Sequence, residues 1–209
     1  MLEAMKTLLA VCLCLSTASA AESIEMFGLK WSIPIAADWS IEKDETGSVL
    51  RMLVERPQRE PRRPTQFALA ETPDWKTVRV EAEVKRIGGS LILVYAYKDP
   101  THFNYAHLST DTAVKQPVHN GIFHVYGGER VRISSNEGPA SFVSADEWYR
   151  VQLDYDAATG EVNVLVNGKK NPSLRAIDLS LGAGKVGIGS FFEKAAFRKV
   201  RITGTPAKP

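Results

Sequence analysis

The sequence predicts an all-β domain, a jelly-roll sandwich of two antiparallel sheets, and three observations carry that prediction. Short runs alternate apolar and polar residues: Val78, Val80, Ala82 and Val84 interleave with Arg79, Glu81, Glu83 and Lys85, the period of a strand with one buried face. Turn residues recur between the runs, at Gly88-Gly89, Asp99-Pro100, Asn120-Gly121 and Asn167-Gly168, each able to reverse the chain. No stretch after Glu22 has a helical period, which removes helical folds from consideration.

Taken in order, the chain opens on an export signal. Lys6 supplies the positive charge, Thr7 to Leu15 the apolar run and Ala18-Ser19-Ala20 a small-residue cleavage site, so cleavage is expected after Ala20. The run is too short to span a bilayer and no later segment is longer and more apolar. A secreted or periplasmic domain with no membrane span is expected over 21–204, with 205–209 as a tail. Cys12 and Cys14 both fall inside the signal, so the processed chain is expected to hold no disulfide or thiolate metal site.

Strands are expected at Trp39 to Ile41 and Ser48 to Glu55, then, past the loop Arg56 to Pro64, at Thr65 to Ala70. Val78 to Lys85 is expected to turn back at Gly88-Gly89 into Leu91 to Lys98, pairing as a hairpin. Phe103 to Ser109, Ile122 to Tyr126 and Arg130 to Ser134 follow. The best patterned unit is a hairpin in which Tyr149, Val151, Leu153 and Tyr155 share one face, and Val162, Val164 and Val166 the face of its partner, across a link ending in Gly160. Trp148, which leads this hairpin, is expected to be a buried anchor. Lys185 to Phe191 and Ala196 to Thr203 close the domain. An immunoglobulin-like domain would need fewer strands, and no fixed repeat suggests a propeller.

Composition sets outer limits. At 209 residues and 44% hydrophobic content the chain can bury one sizeable core, and it reads as one domain. A formal net charge of +2 is too close to neutral to argue for nucleic acid or for a strongly acidic partner, and no nucleic acid is expected. No Gly-x-Ser-x-Gly elbow, phosphate loop or dinucleotide fingerprint occurs.

Three runs carry a resemblance. Trp148 to Lys169, a tryptophan-led strand, a turn and a valine-rich strand ending in Asn-Gly, resembles the core hairpin of laminin-G-like, concanavalin-A-like jelly rolls. Asp99-Pro100-Thr101-His102-Phe103-Asn104-Tyr105-Ala106-His107-Leu108 is similar to the aspartate followed by an aromatic strand in those domains, and Gly184 to Phe191 with Ala196 to Ile202 resembles their closing strand pair. Within that superfamily the chain looks nearest to the bacterial exported group named for 3-keto-disaccharide hydrolysis. The resemblance implies a carbohydrate-directed domain, and a hydrolase acting on keto-glycosides with its site on the concave face of the sandwich. It allows calcium at Asp99 and Asp111, which flank the aromatic strand; no other cofactor is expected.

The candidate site follows from strand parity. Glu81 and Glu83 point the same way, at a spacing near the ~5 to 5.5 Å between carboxyl groups in a retaining glycosidase. Arg79-Val80-Glu81-Ala82-Glu83 departs, however, from the Glu-x-Asp-x-Glu of family-16 glycoside hydrolases. His107 shares a face with Phe103 and Tyr105, and His124 one with Ile122 and Tyr126. With Ile92, Val94, Ala96, Phe123 and Val125 facing the other sheet, one outer face would gather Glu81, Glu83, His107 and His124 as candidate catalytic residues. Tyr95, Tyr97, Tyr105 and Tyr126 would bind the substrate. Rings beside carboxylates and imidazoles suit sugars, whose C–H faces stack and whose hydroxyls need donors and acceptors. No histidine pair has a metal-ligand spacing, so no metal is expected. The basic, proline-rich loop Arg56 to Pro64 suits an acidic or sulfated glycan, or a solvated loop over one end of the sandwich. Catalysis, noncatalytic carbohydrate binding and an adhesion role all remain open on the sequence.

Overall fold

A computed structural model gives the architecture and describes residues 22–57, 60–111, 114, 118–145 and 147–208. The expected export signal, with Cys12 and Cys14, lies outside the described residues. The strands are β1 (Glu22–Met26), β2 (Leu29–Ile33), β3 (Trp39–Asp44), β4 (Gly47–Met52), β5 (Gln66–Ala70), β6 (Trp75–Arg86), β7 (Ser90–Asp99) and β8 (His102–Ser109). The chain continues through β9 (Gly121–Tyr126), β10 (Glu129–Arg132), β11 (Tyr149–Asp156), β12 (Glu161–Val166), β13 (Lys169–Ile177), β14 (Lys185–Ser190) and β15 (Ala195–Pro206). The one helical element among the described residues is a 3-10 turn at Ala36–Asp38.

Two antiparallel sheets form the jelly-roll sandwich. One runs β1-β2-β5-β14-β7-β8-β9-β10 and the other β13-β12-β11-β6-β15-β4-β3. Between them lies a core that includes Trp31, Leu50, Val80, Val84, Leu93, Tyr95, Ile122, Leu153, Val164, Ile188 and Phe197. The expected central hairpin pairs Val151 with Val166, Leu153 with Val164 and Tyr155 with Val162, so its patterned face does line the core.

Three strands add to the sequence reading. β1 and β2 were not expected, and Trp31 of β2 is fully buried. β13 contains Pro172 yet pairs with β12 across a register shift, tolerated because it is an edge strand whose outer backbone needs no partner.

The β6–β7 connection corrects an expectation that matters for function. These strands do not pair: β6 lies between β11 and β15 in the seven-stranded sheet, while β7 lies between β14 and β8 in the eight-stranded one. Ile87, Gly88 and Gly89 carry the chain from one sheet to the other, with the Ile87 and Gly88 amides donating to the Lys194 carbonyl. Gly88 is needed there, since a Cβ would stand 2.6 Å from Cβ of Glu193.

Trp148 is also corrected. It precedes β11 and is half-exposed, with the Arg198 guanidinium 4.1 Å from its ring centroid. Tyr149 is the buried residue leading the strand, at 5% exposure, and its hydroxyl accepts from the amides of Val143 and Ser144.

Candidate functional site

The middle of the eight-stranded sheet, over β7, β8 and β9, is apolar on both faces. Leu91, Leu93 and Tyr95 of β7 join the central core, while Ile92 and Val94 join Phe103, Tyr105, Phe123, Val125 and Phe191 in a second cluster on the outer face. A strand buried on both faces reads as a continuous apolar run, and Leu91-Ile92-Leu93-Val94 therefore has no parity to read. The expectation that Ile92, Val94, Phe123 and Val125 face the other sheet is overturned; Ala96 does join the central core.

Two loops cover that outer cluster. The loop after β4 is fixed where Arg56 forms a bidentate pair with the buried Asp38, at 2.9 and 2.5 Å, which lowers the Asp38 pKa. Further along, Arg63 Nε donates to the Pro100 carbonyl at 3.0 Å. Between these anchors Arg62 lies against the cluster, its guanidinium 5.6 Å from the Phe191 ring and 6.0 Å from that of Phe192. The loop from β14 to β15 supplies both phenylalanines. It is held by Glu193, whose amide donates to Ser190 Oγ and whose carboxylate accepts from Ser90 Oγ at 2.6 Å.

A cavity of about 200 Å³ opens where these loops meet the ends of β7, β8 and β10. Arg62, Ser90, His107, Asp111, His119, Arg130, Phe191, Phe192 and Glu193 line it. Arg130 lies 4.8 Å over Phe191 and 5.1 Å over Phe123, and donates to the hydroxyl of the buried Tyr105 at 3.3 Å. Asp111 accepts the His119 amide at 2.9 Å and pairs with its Nδ1 at 2.9 Å. His107, 4% exposed, stacks on Phe191 at 5.6 Å. Neither ring nitrogen of His107 has a hydrogen-bond partner, nor does Nε2 of His119.

Burial decides the charge of both imidazoles. It pushes the His107 pKa down to about 3, helped by His119 and Arg130, and it lowers His119 although Asp111 opposes the shift. Both rings are thus neutral at pH 7, and the pocket's cations are its arginines. A neutral histidine whose unfolded pKa is near 6.5 leaves stability unaffected above that pH; below it the unfolded chain binds the extra proton, so stability falls as pH drops from 6.5 towards 3. Wild type should therefore lose about 2 to 3 kcal/mol more than His107→Gln between pH 7.5 and 4.5. Urea denaturation at both pH values checks this; parallel losses in the two proteins would contradict it.

The expected site residues are distributed over three places. Glu81 and Glu83 do share a face, but it is the outer face of the seven-stranded sheet. Glu83 accepts from Arg198 Nε at 2.7 Å and Lys199 Nζ at 2.8 Å, and those cations, Lys199 foremost, lower its pKa. Glu81 stands across from Gln152 and Arg201. Because the chain changes sheets at Gly88-Gly89, neither carboxylate shares a face with His107.

His124 and Tyr126 project inward with Ile122, so the expected pairing of His124 with His107 does not form. His124 lies beside Asn104, three residues along β8 from His107. Its Nδ1 contacts Asn104 Oδ1 at 2.8 Å and Asp178 Oδ2 at 3.0 Å, a polar tie between the sheets. Tyr126 is exposed at the strand end and stacks on His124 at 5.6 Å. Tyr95 is buried between the sheets, 4.8 Å from Tyr155. Tyr97 points the other way, onto Phe67 and Phe103, because a bulge at Ala96, with φ of 50°, breaks the alternation. Gly184 makes room for that bulge: a Cβ there would meet the Ala96 carbonyl carbon at 2.5 Å.

Of the expected residues, His107 lines the pocket and Tyr105 lies beneath it, orienting Arg130. Asp99 and Asp111 cap opposite ends of β8, more than about 20 Å apart along the strand. Asp99 accepts from Thr101 and contacts His102, which lower its pKa to about 2. Among the described residues no group of three or more His, Cys, Asp or Glu could hold a metal ion. Arg62, Arg130, His119, Phe191 and Phe192 were not picked out individually. The consecutive Phe191-Phe192 was the readable signal, since both rings leave the central core and pack on the outer cluster.

No family model matches the chain, and no curated protein matches it in sequence. Solved structures do match in shape. The carbohydrate-binding module CBM66 from Bacillus subtilis superposes with a TM-score of 0.59 at 13% identity, over 83% of this chain and 95% of that one. A candidate glycosyl hydrolase from Parabacteroides distasonis gives 0.55 at 12% identity, over 81% and 91%. A Bacillus subtilis protein of unknown function with a galectin-like fold gives 0.50 at 18% identity, over 82% and 88%. At such identities the likeness is one of fold.

Proposed function

We propose that this chain is an exported carbohydrate-binding domain that holds a sugar ring in the pocket on the outer face of the eight-stranded sheet. The observation that carries the reading is His107, a buried neutral imidazole with both ring nitrogens unpartnered, stacked on Phe191 at the edge of a cavity. Such a nitrogen pair offers one donor and one acceptor to hydroxyls, and the adjoining phenyl faces accept C–H groups. A buried polar group without a partner costs about 1 to 3 kcal/mol, a cost that a bound hydroxyl would remove. The volume of about 200 Å³ is below the ~300 Å³ at which drug-sized pockets begin, and suits one ring better than a chain. Likeness in fold to a carbohydrate-binding module supports the class. Export rests on Lys6, Thr7 to Leu15 and Ala18 to Ala20.

Calorimetric titration with a panel of oligosaccharides tests the reading. Saturable one-to-one binding to at least one of them is the expected result, with pocket variants weakened. A panel that spans neutral and acidic sugars and yields no binding would overturn it.

One observation favours a hydrolytic version. Asp111 and His119 form a carboxylate–imidazole pair inside the pocket, the arrangement in which a carboxylate orients a ring as a general base. Hydrolysis of 3-keto-glycosides that is lost in His119→Ala would support this version, and binding of the same sugars without turnover would exclude it. Glu83, held ionised by Arg198 and Lys199, is unsuited to act as a general acid.

A further inference from the structure

Two guanidinium groups converge on one aromatic surface at the pocket, and among the described residues neither forms an ion pair, Glu60 acting on Arg62 only at longer range. Arg62 and Arg130 both lie over Phe191, at 5.6 and 4.8 Å from its centroid. Arg62 Nε is buried without a hydrogen-bond partner, and among the described residues the Arg130 guanidinium donates only to the neutral Tyr105 hydroxyl. Among the described residues no carboxylate is in ion-pair contact with either. The two carboxylates that line the pocket hydrogen-bond to neutral partners, Asp111 to His119 and Glu193 to Ser90, and are in ion-pair contact with neither guanidinium.

Bringing like charges together over a low-dielectric surface is unfavourable unless an anion joins them. Repulsion from Arg130 adds to burial in lowering the Arg62 pKa. A planar fork of N–H donors matches the two oxygens of a carboxylate. Phe191 and Phe192 beside it offer ring faces, and His107 offers a donor and an acceptor to hydroxyls.

We infer that the ligand is an acidic sugar, a uronic acid unit whose carboxylate is held between Arg62 and Arg130, while its ring lies against the phenylalanines and a hydroxyl reaches His107. The inference rests on the carbohydrate reading of the same pocket and narrows it to one class. It also gives the basic, proline-rich loop a purpose: Arg56 and Arg63 pin it down, and Arg62 between them supplies a binding group.

The test is a set of titrations with oligogalacturonate, alginate oligosaccharides and a glucuronate-terminated oligosaccharide. Each is paired with its carboxyl-reduced form, and a sulfated oligosaccharide without carboxylates is included. At least one carboxylated sugar should bind tenfold or more tightly than its reduced form, and the preference should shrink as salt is raised. Arg62→Gln and Arg130→Gln should each remove that preference while leaving weak binding of the reduced form in place. Arg62 lies on a loop, so its replacement keeps the test independent of any folding defect in the Arg130 variant. Equal binding of carboxylated and reduced sugars would overturn the acidic-ligand assignment and leave the carbohydrate reading standing. Preference for the sulfated sugar over every uronate would also overturn it. Failure of all the sugars to bind would remove both.

Discussion

Trp31→Ala should destabilise the domain by about 3 to 5 kcal/mol, the range for removing a large aromatic from a packed core. Trp31 has no exposed surface and belongs to the cluster between the sheets. Its indole N–H donates to the Met26 carbonyl at 2.9 Å, which ties the β1–β2 hairpin to its own turn. The replacement therefore leaves a cavity and removes the indole hydrogen bond together. Loss should appear as a lower urea midpoint with little change in slope. A cost under about 1 kcal/mol would mean that β1 and β2 are peripheral to the fold.

Phe192→Ala should weaken sugar binding roughly tenfold or more, about 1.4 kcal/mol, since aromatic residues at the centre of a contact carry a large share of its energy. Phe192 is half-buried and stacks edge-on against Phe191 at 4.3 Å, so it can be removed at less cost to the core than Phe191, which is 3% exposed. Calorimetry on wild type and variant checks the affinity, and thermal unfolding of the free proteins separates it from stability. Unchanged affinity would place the sugar somewhere other than this pocket.

The fold was legible in the central strands of the seven-stranded sheet, which bury only one face. β6, β11 and β12 alternate cleanly because their outer faces are solvated, and the sandwich follows from them. β7 lost its pattern because both faces are buried, and the Ala96 bulge then set Tyr95 and Tyr97 on opposite sides. The same parity reasoning was right for β8, where Phe103, Tyr105 and His107 do share the outer face. What no local pattern could show is the sheet change at Gly88-Gly89. A two-glycine link fits a hairpin as well as a crossing, and choosing the hairpin put Glu81 and Glu83 beside residues of the other sheet.

The pocket was legible only in fragments. His107, Asp111 and the basic loop each attracted notice, but their meeting depends on contacts far apart in the chain, such as Ser90 with Glu193 and Arg62 with Phe191. Arg130 lies on a short edge strand whose sequence, Glu-Arg-Val-Arg, suits plain solvent exposure equally well. Its closeness to Tyr105 and Phe123 comes from the pairing of β10 with β9 and of β9 with β8.

The most direct measurement is a crystal structure of the domain with a bound oligosaccharide. A sugar ring is expected against Phe191 and Phe192, with hydroxyl contacts to His107. A sugar bound instead on the outer face of the seven-stranded sheet, beside Glu81 and Glu83 or in the cleft of about 580 Å³ lined by Arg79 and Asp154, would contradict it.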